Sequence, residues 1–118
     1  TEAIKKAAGS DEARWIGADP RNPGKTVATP GPELTITPEM RQAGYDNYQT
    51  TDDHGMHMYG IAKDQNGTKY YIIKNSWGAA GTYKGIWYVS ESFVKYKTMD
   101  ILVNKNAIPQ DIRTKLGL

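Results

Sequence analysis

Two short segments hold side chains that could do acid–base chemistry. Asp52-Asp53-His54-Gly55-Met56-His57-Met58 places two imidazoles three residues apart, and Asn75-Ser76-Trp77-Gly78 places a carboxamide two residues before an indole. Imidazole titrates nearest neutrality of all side chains, so it can take up and return a proton at physiological pH. It does so in one orientation only when its other ring nitrogen is held. A carboxamide oxygen that accepts from that N–H holds the ring without adding a charge, and an indole over the pair would exclude water and strengthen the bond. A second chemistry is copper(I) binding. On a strand His54, Met56 and Met58 share one face and His57 takes the other, and imidazole with thioethers is a donor set that copper(I) accepts. The methionines serve equally well as core filler, and His57 reads as a satisfied polar residue within a sheet.

These groups must be positioned by strands. Gly55 to Ala62 and Thr68 to Asn75 are rich in strand formers, and Asp64-Gln65-Asn66-Gly67 between them ends in the Asn-Gly pair of a tight hairpin. Antiparallel pairing across that turn returns the far strand ends to each other, so His54 and Asn75 can be close. On these grounds alone, an orienting pair and an ordinary strand-end contact are both open.

Around the hairpin the chain shows further elements. Glu2 to Ala8 reads as a short helix ending near Gly9-Ser10. Asp19 to Pro32 gathers Pro20, Pro23, Pro30 and Pro32 with Asn22, Gly24 and Gly31 and reads as an extended loop. Thr37, Pro38 and Glu39 have the types that start a helix, which would run to about Asn47 or Tyr48 with Met40, Ala43 and Tyr48 on an inner face; Gly44 weakens it. A small-residue loop from Ala79 to Gly85 precedes a third strand, Ile86 to Val89. A short helix from Ser90 to about Tyr96 follows, with Phe93 inward, then a fourth strand from Met99 to Val103. Pro109 opens a last helix, Gln110 to Leu116, stopped by Gly117. The expected fold class is α+β, an antiparallel β-sheet with short peripheral helices. Residues 1–32 form a loop-rich lead-in, and residues 33–118 form the β-rich part that carries the histidine and the asparagine.

Composition narrows the function classes. The 118 residues fit one compact domain or a piece of a larger protein. Fifteen Lys and Arg against thirteen Asp and Glu leave a formal charge of +2, too weak and too mixed to point to nucleic acid or a membrane surface. A mean hydropathy of -0.67 and the lack of a long apolar run argue against a spanning helix. Twelve aromatic residues argue against disorder. No basic start followed by an apolar stretch marks a signal peptide, and Thr1 in place of Met reads as a trimmed chain. Cysteine is absent. The chain therefore supplies no disulfide, no thiolate metal ligand and no thiol nucleophile.

Asp53-His54-Gly55-Met56, with Gly60 beyond it, and then Asn75-Ser76-Trp77-Gly78 and Gly85-Ile86-Trp87-Tyr88, resemble the His and Asn motifs of papain-like cysteine peptidases and the strand that follows them. Ile36-Thr37-Pro38-Glu39-Met40-Arg41, Lys95-Tyr96-Lys97-Thr98 and the ending Lys115-Leu116-Gly117-Leu118 are similar, more narrowly, to bacterial relatives of bleomycin hydrolase and aminopeptidase C. The resemblance spans about residues 33–118. It implies the carboxyl-terminal part of a cysteine aminopeptidase that hydrolyses peptide bonds. His54 would be the general acid/base, Asn75 its orienting group and Trp77 the cover of their hydrogen bond. The nucleophilic cysteine and the oxyanion-hole glutamine of that family belong to an amino-terminal half, so this chain alone is expected to be inactive.

The resemblance also implies that the tail enters the cleft, with the Leu118 carboxylate meeting a substrate ammonium; otherwise Leu118 is a frayed terminus. Neither a metal nor a cofactor is expected. The partners implied are a peptide substrate, the amino-terminal half of the same enzyme and, from the family's ring-shaped assemblies, a homo-oligomer. The cytoplasm is the compartment implied, with a periplasmic or secreted setting open because a lost export signal would leave no trace. Without the resemblance, two other functions stand: copper binding at His54, Met56 and Met58, and a non-catalytic module that holds a peptide or partner on Tyr59, Tyr70, Tyr71, Trp87 and Tyr88.

Overall fold

The computed structural model describes residues 32–52, 54–79 and 84–118, together with the backbone of Trp15–Ile16 and Thr26–Val27. The helix expected from Glu2 to Ala8, most of the loop from Asp19 to Pro32, part of the loop from Ala79 to Gly85, and Asp53 lie outside the described residues. The elements run β1 (Trp15–Ile16), β2 (Thr26–Val27), α1 (Pro38–Asp46), β3 (Met56–Lys63), β4 (Lys69–Asn75), β5 (Ile86–Ser90), α2 (Glu91–Lys97), a 3-10 turn (Lys105–Ala107) and α3 (Gln110–Leu116).

The hairpin forms at its turn signal. Asp64 Oδ1 accepts from the amides of Asn66 and Thr68, both at 2.8 Å, and Gly67 takes φ +82, the left-handed backbone for which glycine pays no steric cost. β3 and β4 pair antiparallel from Lys63↔Lys69 back to Met56↔Asn75, with an irregularity between Met58 and Gly60. β5 pairs antiparallel with β4 on its other side. The sheet continues through the lead-in segment: β1 joins β5 in parallel and β2 joins β1 antiparallel, so the strand order is β2-β1-β5-β4-β3. Three antiparallel strands with short helices make the fold α+β, and Thr26–Val27 is a strand within the stretch read as loop.

The core lies where β4, β5 and α2 meet. Ile73, Trp87, Val89 and Phe93 are buried together, with Met56, Tyr71 and Val94 packed against them. Each such buried side chain contributes roughly 1.5–3 kcal/mol relative to its exposed state. α2 starts where a side chain replaces the first orphan donor's partner: Ser90 Oγ accepts from the Phe93 amide at 3.0 Å, which turns Phe93 onto the sheet. The hydroxyl of Ser90 also donates to Glu33 at 2.8 Å.

α1 is capped by Thr37, whose Oγ1 accepts from the Met40 amide at 3.2 Å, with Pro38 at the first position. Its inner face differs from the expected one. Tyr48 is 85 % exposed with φ +60, Ala43 is exposed, and the buried residue is Gly44. A Cβ at position 44 would stand 3.2 Å from Thr50 Oγ1, so the glycine that weakens α1 also lets the following loop close over it. Thr50 Oγ1 and the Gln49 carbonyl both accept from Lys97 Nζ at 2.9 Å, and Arg41 donates to the carbonyls of Lys95 and Thr98, fastening α1 to α2. Burial lowers the pKa of Lys97.

The fourth strand expected from Met99 to Val103 does not form. These residues are exposed, Ile101 by 75 % and Leu102 completely. A strand exists only where a neighbour takes its amides and carbonyls, and no described strand runs beside this segment. α3 ends as expected at Gly117, which adopts φ +70.

Tyr70 carries a pH prediction. It is 1 % exposed, and burial, with a smaller push from the Glu33 and Asp64 carboxylates, raises its phenol to about 12. The phenol of an unfolded chain loses its proton near 10. The folded state therefore keeps a proton that the unfolded state releases, and the associated stability is complete below about pH 10 and is lost as pH rises through about 12. Urea midpoints at about pH 9 and about pH 11 should fall less in Tyr70→Phe than in the unchanged protein. An equal fall in both would show that Tyr70 does not carry the effect.

Candidate active site

The site grows from the open end of the β3–β4 hairpin. Asn75 is the last residue of β4 and pairs with Met56, the first of β3, so His54 lies two residues beyond the ladder. Alternation on β4 puts Asn75 on the same face as Ile73, and both are buried, Asn75 to 4 % exposure. Its carboxamide is thereby presented from the core edge with little freedom to rotate. His54 Nε2 stands 2.9 Å from Asn75 Oδ1. Because a carboxamide oxygen can only accept, the N–H is on Nε2, which leaves Nδ1 as the nitrogen able to take up a proton.

Trp77 lies against the same imidazole, with ring centroids 4.8 Å apart and planes inclined by 55°. The indole is 44 % exposed, so it covers one side of the histidine and keeps an open flank itself. The backbone of Asn75 is held too: its amide donates to the Gly85 carbonyl at 2.9 Å, and its carbonyl accepts from Lys74 Nζ at 3.4 Å. Lys74 also donates to the Gly78 carbonyl. The arrangement can orient a neutral imidazole, stabilise its protonated form through a polarised Nε2–H, and offer Nδ1 for proton transfer.

The other residues singled out in the sequence are distributed differently. His57 is exposed, opposite Lys74 in the register, with its ring 6.2 Å from that of Tyr59. Met56 packs on the core cluster, whereas Met58 is exposed by 44 %. With His54 Nε2 turned to Asn75, these placements do not favour copper binding at His54, Met56 and Met58. Among the described residues, no three His, Cys, Asp or Glu side chains are grouped as a metal site. The aromatic set is split as well: Tyr70 and Trp87 are core, Tyr71 and Tyr88 are half-buried and Tyr59 is exposed, so they do not form one binding face. Leu118 is exposed by 61 %, its amide bound to the Arg113 carbonyl at 2.9 Å as α3 closes.

Lys74 and Gly85 complete the site without a signal of that role in the sequence. A lysine between an apolar strand and an asparagine gives no sign that its ammonium will bend forward to the following turn.

The model of the Peptidase C1-like family matches residues 33–117 of the chain. No curated protein matches it significantly.

Proposed function

Since the chain belongs to the Peptidase C1-like family and its matched region contains a histidine held by an asparagine, we propose that residues 33–118 are the β-rich catalytic part of a cysteine aminopeptidase whose nucleophile lies in an amino-terminal half. The observation that carries this is the 2.9 Å contact of His54 Nε2 with Asn75 Oδ1 under the Trp77 ring. In the proposed reaction His54 Nδ1 takes the proton of the partner half's thiol, and the thiolate attacks the carbonyl carbon of the scissile peptide. The tetrahedral adduct collapses as the C–N bond breaks, and the imidazolium gives its proton to the leaving amine. Water then attacks the thioester carbonyl, losing its proton to Nδ1; the C–S bond breaks, the acid product leaves, and the imidazolium returns its proton to the thiolate, restoring the thiol and the neutral ring. Throughout, Asn75 holds the ring in place and Trp77 shields the Nε2–H from water.

The bleomycin hydrolase and aminopeptidase C type is the finer part of the proposal. It is supported by the motif resemblance. The Leu118 carboxylate would pair with the substrate's amino-terminal ammonium and limit cleavage to that end.

One experiment tests both levels. An enzyme containing this chain and its cysteine-bearing half is assayed on a peptide with a free amino terminus and on its acetylated counterpart. The free peptide should be shortened from its amino end, and iodoacetamide should abolish the activity. Deleting Leu116 to Leu118 should let the enzyme cut the acetylated peptide internally. Alkylation without effect would end the cysteine mechanism, and an unchanged product pattern after deletion would end the role of the tail.

A further inference from the structure

We infer that Lys74 is a positioning residue whose ammonium ties the turn after Asn75 into the one shape that sets Trp77 against His54. The inference rests on the catalytic reading of His54, although the geometry it invokes exists in this chain alone.

Alternation along β4 sends the Lys74 side chain to the face opposite Asn75. From there Nζ curls past the strand end and donates to two carbonyls, those of Asn75 and Gly78. These carbonyls bracket Ser76 and Trp77, so one ammonium closes the segment that carries the indole. Ser76, Trp77 and Gly78 are all exposed and lie beyond the ladder of β4, where no described strand pairs with them. An ammonium has three donors and suits such a task, since it can serve carbonyls that diverge.

The opposing wall is built to admit it. Gly85 is buried, with φ +73, and its carbonyl receives the Asn75 amide. A Cβ built at Gly85 would lie 2.5 Å from Lys74 Nζ and against the Gly78 oxygen. The hydrogen of glycine leaves the space through which the ammonium reaches the turn. Asn75 is therefore held from three sides: its carboxamide by His54, its amide by Gly85 and its carbonyl by Lys74.

The test uses NMR on the full 118-residue chain. In the unchanged protein the His54 ring should show nuclear Overhauser contacts to the Trp77 indole, and Trp77→Ala defines where the His54 ring protons resonate without that neighbour. Lys74→Met should abolish these contacts and move the His54 protons to their Trp77→Ala positions, while the core indole of Trp87 stays in place. Lys74→Arg keeps donors at the same site and should retain the contacts. The inference is overturned if Lys74→Met keeps them, or if Met and Arg lose them equally. A measurement without substitution guards against misfolding. The Nζ protons of Lys74 should exchange with water more slowly than those of exposed Lys63, and equal rates would overturn the inference. Failure of the catalytic reading would be seen elsewhere, as a His54→Ala enzyme that turns over normally while the Lys74 effects persist.

Discussion

In an enzyme that contains this chain, His54→Ala should lower kcat/KM by about 10³-fold, the middle of the range that a positioned acid–base group contributes. The loss should be mainly in kcat, because the imidazole acts on the reacting atoms and not on the remote parts of the substrate. His57→Ala is the internal control. It stands one strand position past Met56, exposed and directed away from Asn75, so its replacement should change kcat/KM by less than about twofold. Steady-state kinetics on one peptide substrate decides the matter. Similar losses at both histidines would favour a shared metal over an oriented acid–base pair, and no loss at His54 would remove the proposed mechanism altogether.

Asn75→Ala should have the second largest effect, and a smaller one. A neutral hydrogen bond contributes about 1 kcal/mol net, and each 1.4 kcal/mol in a barrier is tenfold in rate. Loss of the orienting bond is therefore expected to lower kcat roughly 5-fold, with His54 still present to move protons. Part of the effect will be structural, because Asn75 is only 4 % exposed and its removal leaves a buried gap at the end of β4. Asn75→Asp separates the two contributions. A carboxylate 2.9 Å from Nε2 favours the imidazolium, so the His54 pKa should rise. A raised pKa keeps the imidazolium protonated to higher pH, and the alkaline limb of the kcat/KM profile should move upward. If the limb stays where it is in the unchanged enzyme while activity falls, the carboxamide acts through packing and not through the ring nitrogen.

Much of this architecture is legible in local chemistry. The Asp64–Gly67 turn, the Thr37 and Ser90 caps and the Gly117 stop each depend on residues within four positions of one another, and each forms where its residue types call for it. The elements that differ depend on distant neighbours. Met99 to Val103 has the composition of a strand, but a strand needs a partner for its backbone, and composition does not say whether one is present. Gly44 reads as a flaw in a helix until Thr50 and Tyr96 are seen to fill the space where its side chain would be. Likewise Trp15–Ile16 and Thr26–Val27 carry no period of their own: the first becomes a strand because the outer edge of β5 accepts it, and the second because the first then offers an edge in turn.

Within the site, the amino-acid order alone determined the family likeness, the absence of a thiol and the hairpin that carries one candidate near each of its open ends. The pairing that starts this hairpin is local, since the short connection from Asp64 to Thr68 sets its register, which then shifts once between Met58 and Gly60. Tertiary structure decided which ring nitrogen meets the carboxamide, how the indole is inclined to the imidazole, and that Lys74 and Gly85 hold the turn between them. The physical reason is range. Turns and caps are settled by bonds along a few residues, whereas a side chain's final direction is set by packing and hydrogen bonding with atoms that folding brings near.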